Sequence, residues 1–319
     1  VLKSYVGLYG GFSNGMSDFN QRDWTNNATV LDGSNVNYHV VQSLYMTNAM
    51  LDGFTVKRGK ANGAGWDLYG AGMLIRAGVP RVFNCVFTNN TASSGSVGRG
   101  GGMCTDSVVD PNALVSNCVF AVNTAYDGGG ALYPLSQYPV FNRCTFRNNA
   151  GSSAHVYGGA AFAINGTFRN CEFIGNGTAA NGQGGAISSG WGIRVDLENC
   201  AFVGNLSSQG GAVDVYHNNA VRIVNCSFAN NTASVRGGAL HVWDGAVVVV
   251  TNTIMWDDIA PASLEIYNSA TLTVAYSDVY GGWAGTSNMD VNPLFAAPSA
   301  GDLHLLSRGG RWSASGGDV

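Results

Sequence analysis

Lysine and glutamate are nearly missing, with three of each in 319 residues (Lys3, Lys57, Lys60; Glu172, Glu198, Glu265). Both are strong helix formers, so apart from alanine little is left to build helices. Val, Thr, Phe and Tyr are plentiful, and the class this leaves is all-β. Charge of either sign is scarce: charged residues are 11% of the chain and the formal net charge is -4. That argues against a nucleic-acid partner, which needs a basic face. Long apolar runs are missing too; the run 246–250 is too short to span a bilayer. No signal peptide is visible. The chain opens on Val1 and Leu2, and residues 5–9 already look like strand. We read it as a mature fragment whose targeting segment and first strands lie outside it.

What is abundant is glycine, 45 residues without the triplet period of collagen, and a repeat. "NCVF" at 84–87 recurs as "NCVF" at 117–120, "NRCTF" at 142–146, "NCEF" at 170–173, "NCAF" at 199–202 and "NCSF" at 225–228, with a degenerate "NTIM" at 252–255. The cysteine slot (Cys85, Cys118, Cys144, Cys171, Cys200, Cys226, then Thr253) steps by 33, 26, 27, 29, 26 and 27 residues. Each full copy runs on as Phe-x-x-Asn, from Phe87/Asn90 to Phe228/Asn231. A Gly-Gly-Ala-apolar stretch keeps the same spacing around Leu132, Ala161, Ile187, Val213 and Leu240, with looser versions ending at Met73 and Met103. Two markers locked to one spacing are the signature of a solenoid.

One unit reads as Gly-Gly-Ala and a strand, a loop, a second strand, an Asn, then Cys-x-Phe as a third short strand. Three strands in about 27 residues make one turn of a parallel β-helix, whose apolar faces are buried only by stacking on neighbours. The inward phase breaks at the Asn, between Ile223 and Cys226. A tight corner belongs there, because Asn tolerates the left-handed backbone, and stacked corners would give an asparagine ladder.

The Gly-Gly-Ala-apolar and Phe-x-x-Asn pairs resemble the repeats of chlamydial polymorphic outer membrane proteins. The three-strand coil with a corner Asn resembles the pectate-lyase-like right-handed β-helix superfamily. "GLYGGF…QRDW…TVLDG" near the start and "YSDVYGGW…NMDVNPLF…GDLHL" near the end are similar to bacterial secreted or surface-anchored β-helix proteins. The resemblance implies export to the cell surface or medium and implies no reaction.

A cysteine that alternates with Phe and recurs once per turn is core, since a nucleophile is usually a single Cys and zinc sites use C-x2-C spacing. Residues stacked at a strand spacing of about 4.8 Å do not meet in good disulfide geometry, so free buried thiols are expected. Cys104 stands off this column and is the thiol expected to be accessible. The Gly-Gly pairs open strands, whereas a phosphate loop must open a helix. Several Asn-x-Ser/Thr sequons fall at repeat corners, where the turn explains them.

Along the Gly-Gly-Ala strands the apolar residues Val213/Val215 and Leu240/Val242 face inward, so the alternates face out. One outward row is Leu74, Cys104, Tyr133, Phe162, Ser188, Asp214, His241, and Glu265 by extension. The other is Arg76, Asp106, Leu135, Ile164, Gly190, Tyr216, Trp243 and Tyr267. Asp214, His241 and Glu265 on successive turns beside Tyr216, Trp243 and Tyr267 suit a sugar: rings stack on its C–H faces and carboxylates take its hydroxyls. Asp214, His241 and Glu265 are also the catalytic candidates. Two carboxylates two turns apart would lie roughly 9–10 Å from each other, near the top of the inverting-glycosidase range, with His241 as acid or base. Ser188, Asp214 and His241 make no triad, because Asp stands between the other two. A lyase would want an Arg or Lys base with clustered acidic calcium ligands, and the rows offer only Arg76 and Asp106, on different turns. The bland alternative is that these rows are packing under a covering loop.

The expected fold is thus a single right-handed parallel β-helix of about ten turns with three short sheets. It occupies residues 1–275, and 276–319 form the last turn and a cap in which Leu294/Phe295 and Leu303/Leu305 cover the open core. The expected role is an extracellular or cell-surface structural or adhesin-type protein, a monomer, binding polysaccharide or a host glycan on the Gly-Gly-Ala sheet. A polysaccharide-degrading hydrolase or lyase on the same face is the alternative. No metal or cofactor is expected, and calcium lacks a ligand cluster.

Overall fold

Phe87, Phe120, Phe146, Phe173, Phe202 and Phe228 form one column of parallel rings, with centroids 4.5–5.1 Å apart and every ring fully buried. That spacing is the distance between neighbouring parallel strands, so each turn of chain lies directly on the last. The computed structural model describes residues 1–106, 114–135, 139–153, 156–163, 165–192 and 194–306, and the backbone at 312–313 and 317–318. It is a right-handed parallel β-helix of about nine turns.

Three long parallel sheets run its length, with nine strands in the Gly-Gly-Ala sheet and ten in each of the other two. A seven-stranded fourth sheet turns the corner between the cysteine strands and the Gly-Gly-Ala strands. Its members are short, such as Thr91–Ala92 and Thr124–Ala125, too brief to show an alternation in the sequence. This fourth sheet is the one departure from the three-sheet expectation.

The six repeat cysteines point inward and are at most 3% exposed, their thiols directed at backbone carbonyls such as Phe83 O (3.1 Å from Cys85 Sγ). All seven cysteines are free and buried. The residue before each repeat cysteine, Asn in five turns and Arg143 in one, takes the left-handed backbone, with φ 52° at Asn84, 53° at Arg143 and 54° at Asn225. These corner side chains stay outside and only partly link up, as from Asn199 Nδ2 to Asn170 Oδ1 at 2.6 Å.

The continuous asparagine ladder stands at the other corner. Asn90, Asn123, Asn149, Asn176, Asn205 and Asn231, the last letter of each Phe-x-x-Asn, are buried in single file. From Asn123 on, each Oδ1 accepts both the backbone N–H and the Nδ2 of the rung before it, as Asn176 does from Asn149 at 3.0 Å each, while Asn90 Oδ1 accepts from Gly59 N. Each Nδ2 also donates to a carbonyl one turn back, Val56 O for Asn90 (3.1 Å) and a phenylalanine carbonyl for the other five, as Asn176 does to Phe146 O at 2.9 Å. Buried backbone groups at a bend need partners, and the primary amide supplies a donor and an acceptor at once. The repeat hints at the difference between the corners: the Phe-x-x-Asn slot is Asn in all six copies, whereas the pre-cysteine slot admits Arg143.

At the C-terminal end, Trp283 packs against the core, and Asn288 Nδ2 ties Val274 O (3.0 Å) and Trp283 O (3.1 Å). The residues expected to cover the core instead make an antiparallel hairpin, Phe295–Ala297 with Asp302–Leu305. Leu294 and Leu305 are exposed there, and Phe295 and Leu303 are half-buried. The strand edges at 295–305 are satisfied within that hairpin and not by stacking on the coil.

Candidate functional site

The outward row of the Gly-Gly-Ala sheet assembles as its spacing indicates for seven turns. Cys104 pairs with Leu74 and Tyr133, Phe162 with Ser188, Ser188 with Asp214, and Asp214 with His241. The eighth turn departs. His241 pairs with Tyr267 and Leu240 with Ile266, so the register differs by two residues from the alignment that set Glu265 beside His241 and Tyr267 beside Trp243. That turn has no Gly-Gly to anchor an alignment. Leu264 and Glu265 fill the Gly and Ala slots, their carbonyls accepting from Gly238 N (2.7 Å) and Ala239 N (2.9 Å). The spacing from ladder rung to strand does not fix the register either, since it runs from eight residues (Asn205 to Val213) to thirteen (Asn90 to Met103).

Outward is not exposed. Asp214 is fully buried, His241 is 1% exposed and Tyr216 3%. Cys104, expected to be accessible, is fully buried as well, and burial pushes its thiol well above the usual range. A second tier of large side chains roofs the sheet. Trp66, Tyr69, Leu135 and Tyr157 pack onto Leu74, Cys104, Tyr133 and Phe162. The Arg99 guanidinium lies 5.0 Å from the Tyr133 ring centre and donates to Tyr133 Oη at 2.6 Å. Several of these residues precede the left-handed glycine of each turn, where Tyr69, Arg99, Gly128, Tyr157, Gln183 and Gln209 form one bridged column. Ile164 of the second outward row lies outside the described residues.

Under the C-terminal part of this roof sits a polar knot. Asp214 Oδ1 accepts from His241 Nδ1 at 2.6 Å and from Trp243 Nε1 at 3.2 Å, and Ser188 Oγ donates to its Oδ2 at 3.5 Å. Burial pushes the Asp214 carboxyl up, against these donors, which pull it down. Asp–His is the orienting half of a catalytic triad. Here Ser188 stands on the Asp214 side, and the turn beyond His241 carries Tyr267. Glu265 is directed at another corner, where its Oε1 accepts from Asp258 N at 3.2 Å. Among the described residues, the turn beyond His241 on this row therefore does not carry the second carboxylate that the inverting-hydrolase reading placed there. Among the described residues no group of three or more His, Cys, Asp or Glu could hold a metal ion.

Three polar and aromatic side chains stand free of the roof, on the loops leaving the same strands. Gly190 lets the Tyr216 ring lie over it, since a Cβ there would meet Tyr216 Cζ at 2.5 Å. Tyr216 thereby reaches across a turn to stack on Tyr157 at 5.6 Å, and on Trp243 at 5.6 Å from the other side. Trp191, held in the left-handed region at φ 54°, plants its edge against this stack. Its ring centre is 5.6 Å from Tyr157, 5.9 Å from Phe162 and 5.1 Å from Tyr216, near perpendicular to each. The indole is nonetheless 51% exposed. His217 lies 5.2 Å from it and pairs through Nδ1 with Asp244 Oδ2 at 2.8 Å, both side chains about half exposed. Trp191, His217 and Asp244 thus line one rim over three successive turns. Composition did not single them out, because a residue on a loop carries no periodic signal. A separate open groove of about 580 Å³ runs between residues 300–304 of the hairpin and corner residues Asn170, Asn199 and Asn225.

The family model described as right handed beta helix region matches residues 24–202, more than half of the chain. The chain belongs to that family. In this β-helix, residues 225–242 also match the Chlamydia polymorphic membrane protein repeat. That span runs from the corner Asn225 through the buried strand Leu240–Val242. No curated protein and no solved structure matches the chain. No helix among the described residues is long and apolar enough to cross a membrane.

Proposed function

We propose that this β-helix is a cell-surface scaffold of adhesin type that binds carbohydrate at the Trp191–His217–Asp244 rim. The observation that carries the reading is the half-exposed Trp191 indole, braced edge-on by Tyr157, Phe162 and Tyr216. An apolar ring fixed in place and open to solvent is what a sugar's C–H face stacks on, at little cost in lost side-chain freedom. The His217–Asp244 pair beside it offers donors and acceptors to hydroxyls on the next turns.

Asp214, His241, Tyr216 and Trp243 act in this reading through the shape of the rim. The Asp214 knot fixes Trp243, Trp243 stacks on Tyr216, and Tyr216 braces Trp191. Tyr267, half-buried beneath the Arg236 guanidinium at 4.8 Å, closes the row at its far end.

Screening the purified protein on a glycan array tests the proposal. Binding to a defined carbohydrate class, with affinity lowered about 3- to 10-fold in Trp191→Ala as expected for one stacking ring, supports it. No binding to any glycan, or binding that Trp191→Ala leaves unchanged, overturns it.

A further inference from the structure

Glu265 occupies a slot that five earlier turns give to alanine (Ala131, Ala160, Ala186, Ala212, Ala239). It reaches into the corner where the asparagine ladder stops. Asp258 is the last rung, its Oδ1 accepting from Asn231 N at 2.6 Å and Asn231 Nδ2 at 2.7 Å. Asp258 has no following asparagine to receive its own N–H, and Glu265 Oε1 from the same turn does so at 3.2 Å. Glu265 therefore supplies the acceptor that every earlier rung finds one turn on.

The cost of this solution is two carboxyl groups in a closed space. Asp258 is 1% exposed and Glu265 3%. One oxygen of each, Asp258 Oδ2 and Glu265 Oε2, is buried and receives no hydrogen bond from any other described group. The two carboxyl groups share one closed corner, since Glu265 Oε1 lies 3.2 Å from the backbone nitrogen of Asp258 itself. Two carboxylates repel and neither donates, so the pair needs a proton between them.

We propose that Asp258 and Glu265 form a proton-sharing carboxyl pair that closes the C-terminal end of the asparagine ladder, making the last turn of the β-helix sensitive to pH. Desolvation, the largest cause for both, pushes Asp258 up to about 7 and Glu265 up to about 11, and for Glu265 the Asp258 charge adds to it. Hydrogen bonds from Glu265 and Asn231 pull Asp258 part of the way down. Asp257 also acts on the pair, and its charge pushes both further up. Arg236, on the neighbouring turn, lies over the Tyr267 ring.

Both values lie above those of the unfolded chain, 3.8 and 4.5, so the folded protein holds protons that the unfolded chain releases. The pair's contribution to stability is fully present below those lower values. It is lost as the pH rises, first through about 7 and then toward about 11.

The test compares the native protein with Asp258→Asn, which restores the amide rung of the six earlier turns, and with Glu265→Gln. Thermal midpoints are read at about pH 5 and about pH 8, and the infrared band of protonated carboxyl at about pH 8. The native protein is expected to melt lower at the higher pH, and Asp258→Asn to shrink that difference, because an amide needs no proton. The native protein is expected to keep a protonated-carboxyl band at the higher pH, which Glu265→Gln removes. A native protein without that band, or an Asp258→Asn midpoint with the native pH dependence, overturns the proposal. Asp258→Asn decides the matter even if Glu265→Gln fails to fold.

Discussion

Asp214 and His241 face each other across adjacent strands, Oδ1 to Nδ1 at 2.6 Å, beneath a wall of stacked rings. The pair shows that direction and exposure are separate properties of a solenoid face. Strand alternation turns both side chains away from the central core, and a second tier of aromatic and guanidinium groups then covers them. A carboxylate held there is sustained by donors from Ser188, His241 and Trp243, each on a strand or corner that the repeat places within reach.

The asparagine ladder should be the most substitution-sensitive polar feature of the molecule. Asn176→Ala would leave the Asn149 N–H, the Asn149 Nδ2 and the Phe146 carbonyl without their partner at a buried corner. Each unsatisfied buried group costs about 1–3 kcal/mol. A loss of about 3 kcal/mol or more in urea unfolding is the expected outcome. A loss under about 1 kcal/mol would mean the corner relaxes to find other partners.

Val122 is a misfit that can be repaired. The residue before each ladder rung takes the left-handed backbone, and it is Asn89, Asn148, Gly175, Gly204, Asn230 or Asp257 elsewhere, but Val122 at φ 56° here. A β-branched side chain is strained in that region. The side chain is 48% exposed, so little packing is forfeited by removing it. Val122→Asn should raise the stability by about 1 kcal/mol, read as a higher urea midpoint with an unchanged slope.

The cysteines give a direct check on the core. No thiol of the native protein should react with an aromatic disulfide reagent over minutes at neutral pH, and all seven should react in denaturant. Cys104 belongs to the silent set, because the roof buries it and desolvation raises its thiol. A single fast thiol in the native state would show that the roof over Cys104 opens.

The repeat made the coil, the inward Cys and Phe columns and the left-handed corners readable from the chain alone, since each recurs at every turn and its chemistry admits few substitutes. Two further features had weaker signals. The fourth sheet has strands of two residues at most turns, below the length at which alternation registers. The roof consists of single large residues such as Tyr69, Arg99 and Tyr157, which touch each other only once the turns are stacked. For the candidate site, the Asp214–His241 contact followed from register. The displacement of Glu265 and the rim at Trp191 did not, because both arise where the repeat is broken, at a turn without Gly-Gly and on a loop.

The central claim is that recognition sits on the rim and that the knot beneath it holds the rim in place. Glycan affinity and urea stability measured side by side for Asp214→Ala and Trp191→Ala test it most directly. Asp214→Ala should lower stability by about 3 kcal/mol or more, because it leaves buried donors on His241, Trp243 and Ser188 unpaired. The protein that remains folded should still bind glycan, with affinity lowered less than in Trp191→Ala, because the rim loses part of its brace and keeps its stacking ring. Trp191→Ala should weaken binding about 3- to 10-fold while costing no more than about 1.5 kcal/mol of stability. The reverse pattern, with binding abolished in a fully stable Asp214→Ala protein and untouched in Trp191→Ala, would contradict the account and place the site at the Asp214–His241 pair itself.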